Sequence, residues 1–126
     1  MKVLHVNYSD SIGGAAIAVN RLHNKLLIKN INSQMLVIDK NINDLHIHGS
    51  KKRLHKSINN FKIRLARFLK RKIITTKNKE TFSFNLINTN LLNTINNFEA
   101  DIVHLHWIGN EMISIKEISH INKPIV

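Results

Sequence analysis

KVLHVN at residues 2 to 7, YSDSIGG at 8 to 14 and AAIAVNRLHNKLL at 15 to 27 form one continuous opening stretch, and its reading decides the fold. The first piece is an apolar run short enough for a buried strand. The second is a turn built on Gly13 and Gly14. The third carries Ala15, Ala18, Val19, Leu22 and Leu26 at the spacing of one helical face, so a helix is expected over residues 15 to 29. A strand, a glycine turn and a helix aim the helix's unpaired N–H groups at whatever sits above the turn, which suits a phosphate or another anion. The glycines permit positive φ and close approach of a ligand, but the same residues also serve as a plain structural turn. The stretch is not the GxGxxG dinucleotide fingerprint, and no Lys-Ser or Lys-Thr follows to make a P-loop.

Working outward, Asn30 reads as a left-handed helix end, and SQMLVID at 33 to 39 as a second buried strand. Strand, helix and strand in this order predict parallel strands joined by a right-handed crossover. Residues 40 to 50 read as a loop. Leu54, Ile58, Phe61, Leu65, Phe68 and Leu69 recur at helical spacing with basic residues between them, a long basic amphipathic helix. FSFNL at 82 to 86 is a short candidate strand, and Ile87, Leu91, Ile95 and Phe98 form another helical stripe. DIVHLHW at 101 to 107 is the second strong strand, and residues 111 to 120 read as a helix. Ile125 and Val126 read as the start of a further strand, so the polypeptide reads as incomplete, the alternative being a short edge strand at a natural C-terminus.

The chain of 126 residues fits one domain, residues 1 to 126, and buries roughly two thirds of its unfolded surface. It contains no cysteine, which excludes disulfides and thiolate metal sites. No signal peptide or apolar run of membrane-spanning length is present, so a cytoplasmic location is expected. The net charge of +11 is local: residues 51 to 79 hold twelve basic residues and no acidic one, while the rest carries seven basic and eight acidic. This segment is read in three ways. It is a solvated helix face, a surface docking on anionic membrane through residues such as Arg64, Arg67, Lys70 and Arg71, or a nucleic-acid contact. The last is disfavoured, because no interleaved aromatics and no recognised binding motif accompany the charge.

In an open parallel sheet, ligands sit at the carboxyl ends of the strands where the strand order reverses. That rule brings Asp10, Gly13 and Gly14 beside His106 and Trp107. Trp107 can wall a pocket and stack on a sugar or base, or simply pack. Asp10 can orient a ligand hydroxyl or cap the helix. His104 and His106 share a strand face, and His46 and His48 repeat the H-x-H spacing. Neither pair is followed by a third ligand at a convincing spacing, so no metal site is expected. Nothing forms a nucleophile elbow or a paired-carboxylate site.

Taken in order, KVLHVN, the IGGAA turn, VNRLHNKL, FSFNL and ADIVHLHWIG resemble the N-terminal domain of GT-B glycosyltransferases, in particular the family 4 type of bacterial cell-surface polysaccharide synthesis. The resemblance implies a Rossmann-like parallel sheet flanked by helices, the acceptor-side half of a two-domain enzyme whose donor-binding domain is absent. It implies transfer from a nucleotide-sugar donor to a glycan or lipid-linked acceptor, with retention and without a cofactor, by a complete enzyme. Gly13 and Gly14 would lie against the donor diphosphate or the acceptor, and His106 and Trp107 would line the acceptor side. The basic segment would hold the enzyme at the inner membrane face, and the chain alone would be inactive or nearly so. The alternative is a basic α/β module that docks on anionic membrane or nucleic acid through residues 51 to 79.

Overall fold

The computed structural model describes residues 1–49 and 91–126. The basic segment with Arg64, Arg67, Lys70 and Arg71, the FSFNL stretch and Ile87 lie outside the described residues. Among the described residues four strands form one sheet: β1 (Lys2–Ser9), β2 (Asn32–Asp39), β3 (Ile47–Gly49) and β4 (Ile102–Leu105), in the order β3-β2-β1-β4. Every pairing is parallel. Helix α1 (Gly14–Ile28) links β1 to β2, α2 (Leu91–Asn97) precedes β4, and the short α3 (Ile115–Ile118) follows it. The protein is thus α/β, with an all-parallel sheet flanked by helices, an arrangement compatible with a Rossmann-like fold.

The central strand β1 is buried along almost its whole length, as expected for a parallel strand covered on both faces. Leu4, Val6, Leu36 and Val103 share one face and pack with Leu91, Ile95, Met112 and Ile113. On the other face Met35 and Val37 pack with Val19 of α1 and Ile47 of β3. Past β4 the sheet continues, with Val103 bridged in parallel to Ile125 and the Leu105 N–H donating to the Val126 carbonyl at 2.8 Å.

Four expectations need correction. The buried face of α1 is Ala16, Val19 and His23, whereas Leu22 is exposed, so the helix is rotated from the face read off the sequence. The reason is that His23 turns inward to Ser33, its Nδ1 lying 2.7 Å from Oγ, and takes the position an apolar residue was expected to hold. The loop of residues 40 to 50 contains β3, which pairs with β2 through Met35 and Ile47. The expected helix of residues 111 to 120 shrinks to α3. Asn110 and Glu111 adopt φ of 57° and 56°, which no α-helix admits, and the helix begins only at the capping box of Ser114 and Glu117. β1 runs on to Ser9, because Ser9 still pairs with Asp39 and the Tyr8 N–H donates to the Trp107 carbonyl. Asn30, by contrast, has the left-handed φ of 55° anticipated for it.

Leu4 lies in the centre of the apolar face with no exposed surface. Leu4→Ala should destabilise the fold by about 2 to 5 kcal/mol, read as a lower urea midpoint at unchanged m-value.

Candidate functional site

The chain leaves β1 toward β2 on one side, and β4 lies on the other, so the order reverses between β1 and β4. The loop after β1 and the residues after β4 therefore share the carboxyl edge of the sheet at the reversal. Asn7 ties the two together. Buried at the end of β1, it accepts the Trp107 N–H on Oδ1 at 2.9 Å and donates from Nδ2 to the Ser9 carbonyl at 2.6 Å. Its role does not follow from the sequence, because its partner Trp107 lies a hundred residues away.

Trp107 is held by two contacts. The Tyr8 ring meets the indole edge-on at 5.5 Å, and Gly109 lies so close that a Cβ there would come within 2.7 Å of the indole ring. Gly109 is thus a glycine because the indole occupies the space of a side chain. The Trp107 residue still exposes 44% of its surface, at the edge where an aromatic face can stack on a ligand.

Gly13 has φ of 92°, a conformation that requires glycine, and a Cβ there would meet nothing within 4 Å. Gly14 needs no such conformation, and a Cβ on it would also enter open space. Nothing in the described packing requires Gly14 to lack a side chain. Gly13 occupies the N-cap position of α1 without any side-chain cap, and the first turn holds no acidic residue. The positive end of the helix dipole is therefore uncompensated by side chains among the described residues, in a state suited to an anion.

Asp10 does something other than meet a ligand or cap α1. Its carboxylate is fully buried and accepts from the backbone N–H of Asn41 at 2.9 and 3.0 Å and of Ile42 at 2.8 Å. It fastens the loop after β1 to the loop after β2, while the Asp10 carbonyl accepts from Asn20 of α1. Asp10 positions the glycine turn and is turned away from solvent.

His106 lies on the sheet face that α1 covers, because His5 pairs in register with His104 and successive strand residues alternate. The Nδ1 of His5 and the Nε2 of His106 are 3.0 Å apart, and the His104 and His106 rings lie 4.0 Å between centroids. His23 meets His5 edge-on at 6.2 Å, and His46 lies 6.2 Å beyond His23. Burial, then the neighbouring imidazoles of His106, His104 and His23, push the His5 pKa down to about 3. Burial and His104 push His106 down to about 4. Burial likewise lowers His23, with Asp44 opposing and His46 adding to the fall. These rings are neutral at physiological pH. The expectation of no metal rested on the lack of a third ligand in sequence, and the structure supplies a third imidazole in space. His5 was missed because its partners lie about a hundred residues away; the signal was the alternation of His within both KVLHVN and DIVHLHW, on strands that neighbour each other at the reversal.

Fold and edge together define a parallel α/β domain whose glycine turn and Trp107 share the carboxyl edge of the sheet at the reversal of strand order. No protein-family model, curated protein or solved structure matches the chain. Among the described residues, no helix is long and apolar enough to cross a membrane.

Asp10→Ala should leave two backbone N–H groups without their acceptor and cost about 1 to 3 kcal/mol, measured by chemical unfolding. Acid should act through the histidines. An unfolded imidazole protonates near pH 6.5 and folded His5 only near 3, so between those values the unfolded state binds more protons and stability is lost as the pH is lowered. The fall from His5 is at most about 1.4 kcal/mol per pH unit, and unfolding at a series of pH values should show a shallower slope in His5→Leu.

Proposed function

We propose that this chain is the acceptor-side half of a two-domain glycosyltransferase of the GT-B, family 4 type. The complete enzyme transfers a sugar from a nucleotide-sugar donor to a glycan or lipid-linked acceptor, with retention of configuration. The observation that carries the reading is the N-terminus of α1, which among the described residues has no side-chain cap and nothing against Gly13 and Gly14, at the same sheet edge as the half-exposed Trp107. A helix start of this kind stabilises a diphosphate through backbone N–H groups, which need no reorganisation as charge develops on the leaving group. The indole offers a flat apolar face to a sugar ring. Ile12, also strongly exposed beside the turn, adds apolar surface to the same loop.

In this reading Gly13 and Gly14 contact the diphosphate or the acceptor, His106 and Trp107 wall the acceptor side, and Asp10 keeps the turn in register. In that architecture a second Rossmann-like domain supplies the carboxylates that grip the nucleotide sugar, and residues 1 to 126 supply the acceptor side. The basic run of residues 51 to 79 supports a location against anionic lipid, close to a lipid-linked acceptor.

Titration of the isotope-labelled chain with uridine, guanosine and adenosine diphosphates and with pyrophosphate should shift the backbone amides of Gly13, Gly14 and Ala15, and the nucleotides should also move the Trp107 indole N–H. Gly14→Asp sets a negative charge at the helix start in space that is open, and should weaken binding at least about tenfold while leaving the melting temperature nearly unchanged. Shifts confined to other parts of the chain, or none at millimolar ligand, would remove the proposal.

A further inference from the structure

Three imidazoles meet where β1 and β4 run side by side, and no carboxylate among the described residues joins them. Each of His5, His104 and His106 offers a ring nitrogen, and these nitrogens all lie within 4.8 Å of one another. His5 is wholly buried, and its Nε2 has no hydrogen-bond partner among the described residues. Buried polar atoms are nearly always satisfied, and one left alone costs about 1 to 3 kcal/mol. The Nδ1 of His5, which faces His106 Nε2 at 3.0 Å, is the nitrogen placed to ligate, and Nε2 then carries the ring's N–H. A protein gains little from gathering three such rings unless something takes their lone pairs.

We propose that His5, His104 and His106 bind one divalent transition-metal ion, with zinc as the type case. The 3.0 Å between the His5 and His106 nitrogens compares with about 3.3 Å for two nitrogens bonded at 2.0 to 2.1 Å to one tetrahedral ion, so small ring movements suffice to seat it. Imidazole nitrogen also suits nickel, cobalt and copper, so the ion's identity follows from availability and from coordination number. Three protein ligands leave one tetrahedral position open for water or a ligand oxygen, as in catalytic zinc sites. The protein component is half-built by the sheet itself. The register that pairs His5 with His104 sets two ligands on neighbouring strands, and strand alternation adds the third two residues on. His106 adjoins Trp107, so the ion would cross-link β1 to β4 directly beneath the ligand edge. The inference stands without the sugar-transfer reading, and its test contains no nucleotide.

The full untagged chain, stripped with chelator, is titrated with zinc by calorimetry and with cobalt by visible absorption. One equivalent of zinc should bind, and cobalt should give the intense d–d bands of a low-coordinate nitrogen site. His104→Ala and His106→Ala, both at partly exposed positions, should weaken zinc binding at least about 100-fold with an unchanged far-ultraviolet circular dichroism spectrum, and exposed His120→Ala should not. Because a variant can fail to fold, imidazole nitrogen resonances of the unmodified chain provide a second reading: zinc should move those of three histidines, assigned to His5, His104 and His106. Absence of stoichiometric binding, binding that survives His104→Ala combined with His106→Ala, or movement of other histidines alone would overturn the proposal.

Discussion

The placement of β1 between β2 and β4, paired in parallel along both edges, is the constraint on which the rest depends. A strand so enclosed satisfies most of its backbone within the sheet, and its side chains face covered sides. Even-numbered positions Leu4 and Val6 enter the larger apolar core, while His5 and Asn7 look toward the face of α1. The end of this strand is also where the glycine turn begins, beside the residues that follow β4. Asn7 holds the β4 side and Asp10 the β2 side, so the glycine turn stands on a base fixed from two directions. Rigid support of this kind lets a loop carry open backbone without losing its shape.

The two faces of the sheet solve burial differently. One is closed by aliphatic residues from α2 and from Met112 and Ile113. The other mixes Val19, Met35 and Val37 with a row of histidines running from His46 through His23 and His5 to His104 and His106. Imidazole rings pack as flat, weakly polar plates, yet each carries two ring nitrogens that aliphatic side chains lack. A face filled in this way gives up part of the transfer energy of an all-apolar core. Such a concession commonly marks chemistry, and here it falls beside the carboxyl edge of the sheet.

Much of the architecture was legible in local pattern. KVLHVN, SQMLVID and DIVHLHW are dense in β-branched and aliphatic residues, and each became a strand. The helix after the diglycine and the left-handed Asn30 also follow from local chemistry. The exact face of α1 did not, because His23 is ranked polar by any hydropathy pattern until Ser33 supplies its partner. β3 escaped because three residues carry too little periodicity to separate a strand from a loop. The left-handed pair Asn110 and Glu111 escaped because neither residue type demands that conformation; the chain adopts it in passing from the Trp107 edge to the buried Met112 and Ile113.

The sequence by itself determined β1, α1, β2 and β4, their parallel arrangement and the edge at which the glycine turn and Trp107 are both found, since apolar periodicity and glycine act over a few residues. Only the tertiary structure decided that Asp10 holds a loop rather than a ligand, and that His5 joins His104 and His106. Both depend on contacts between segments far apart in the chain. Such contacts are set by strand register, and register emerges only when both faces of the sheet are buried at once.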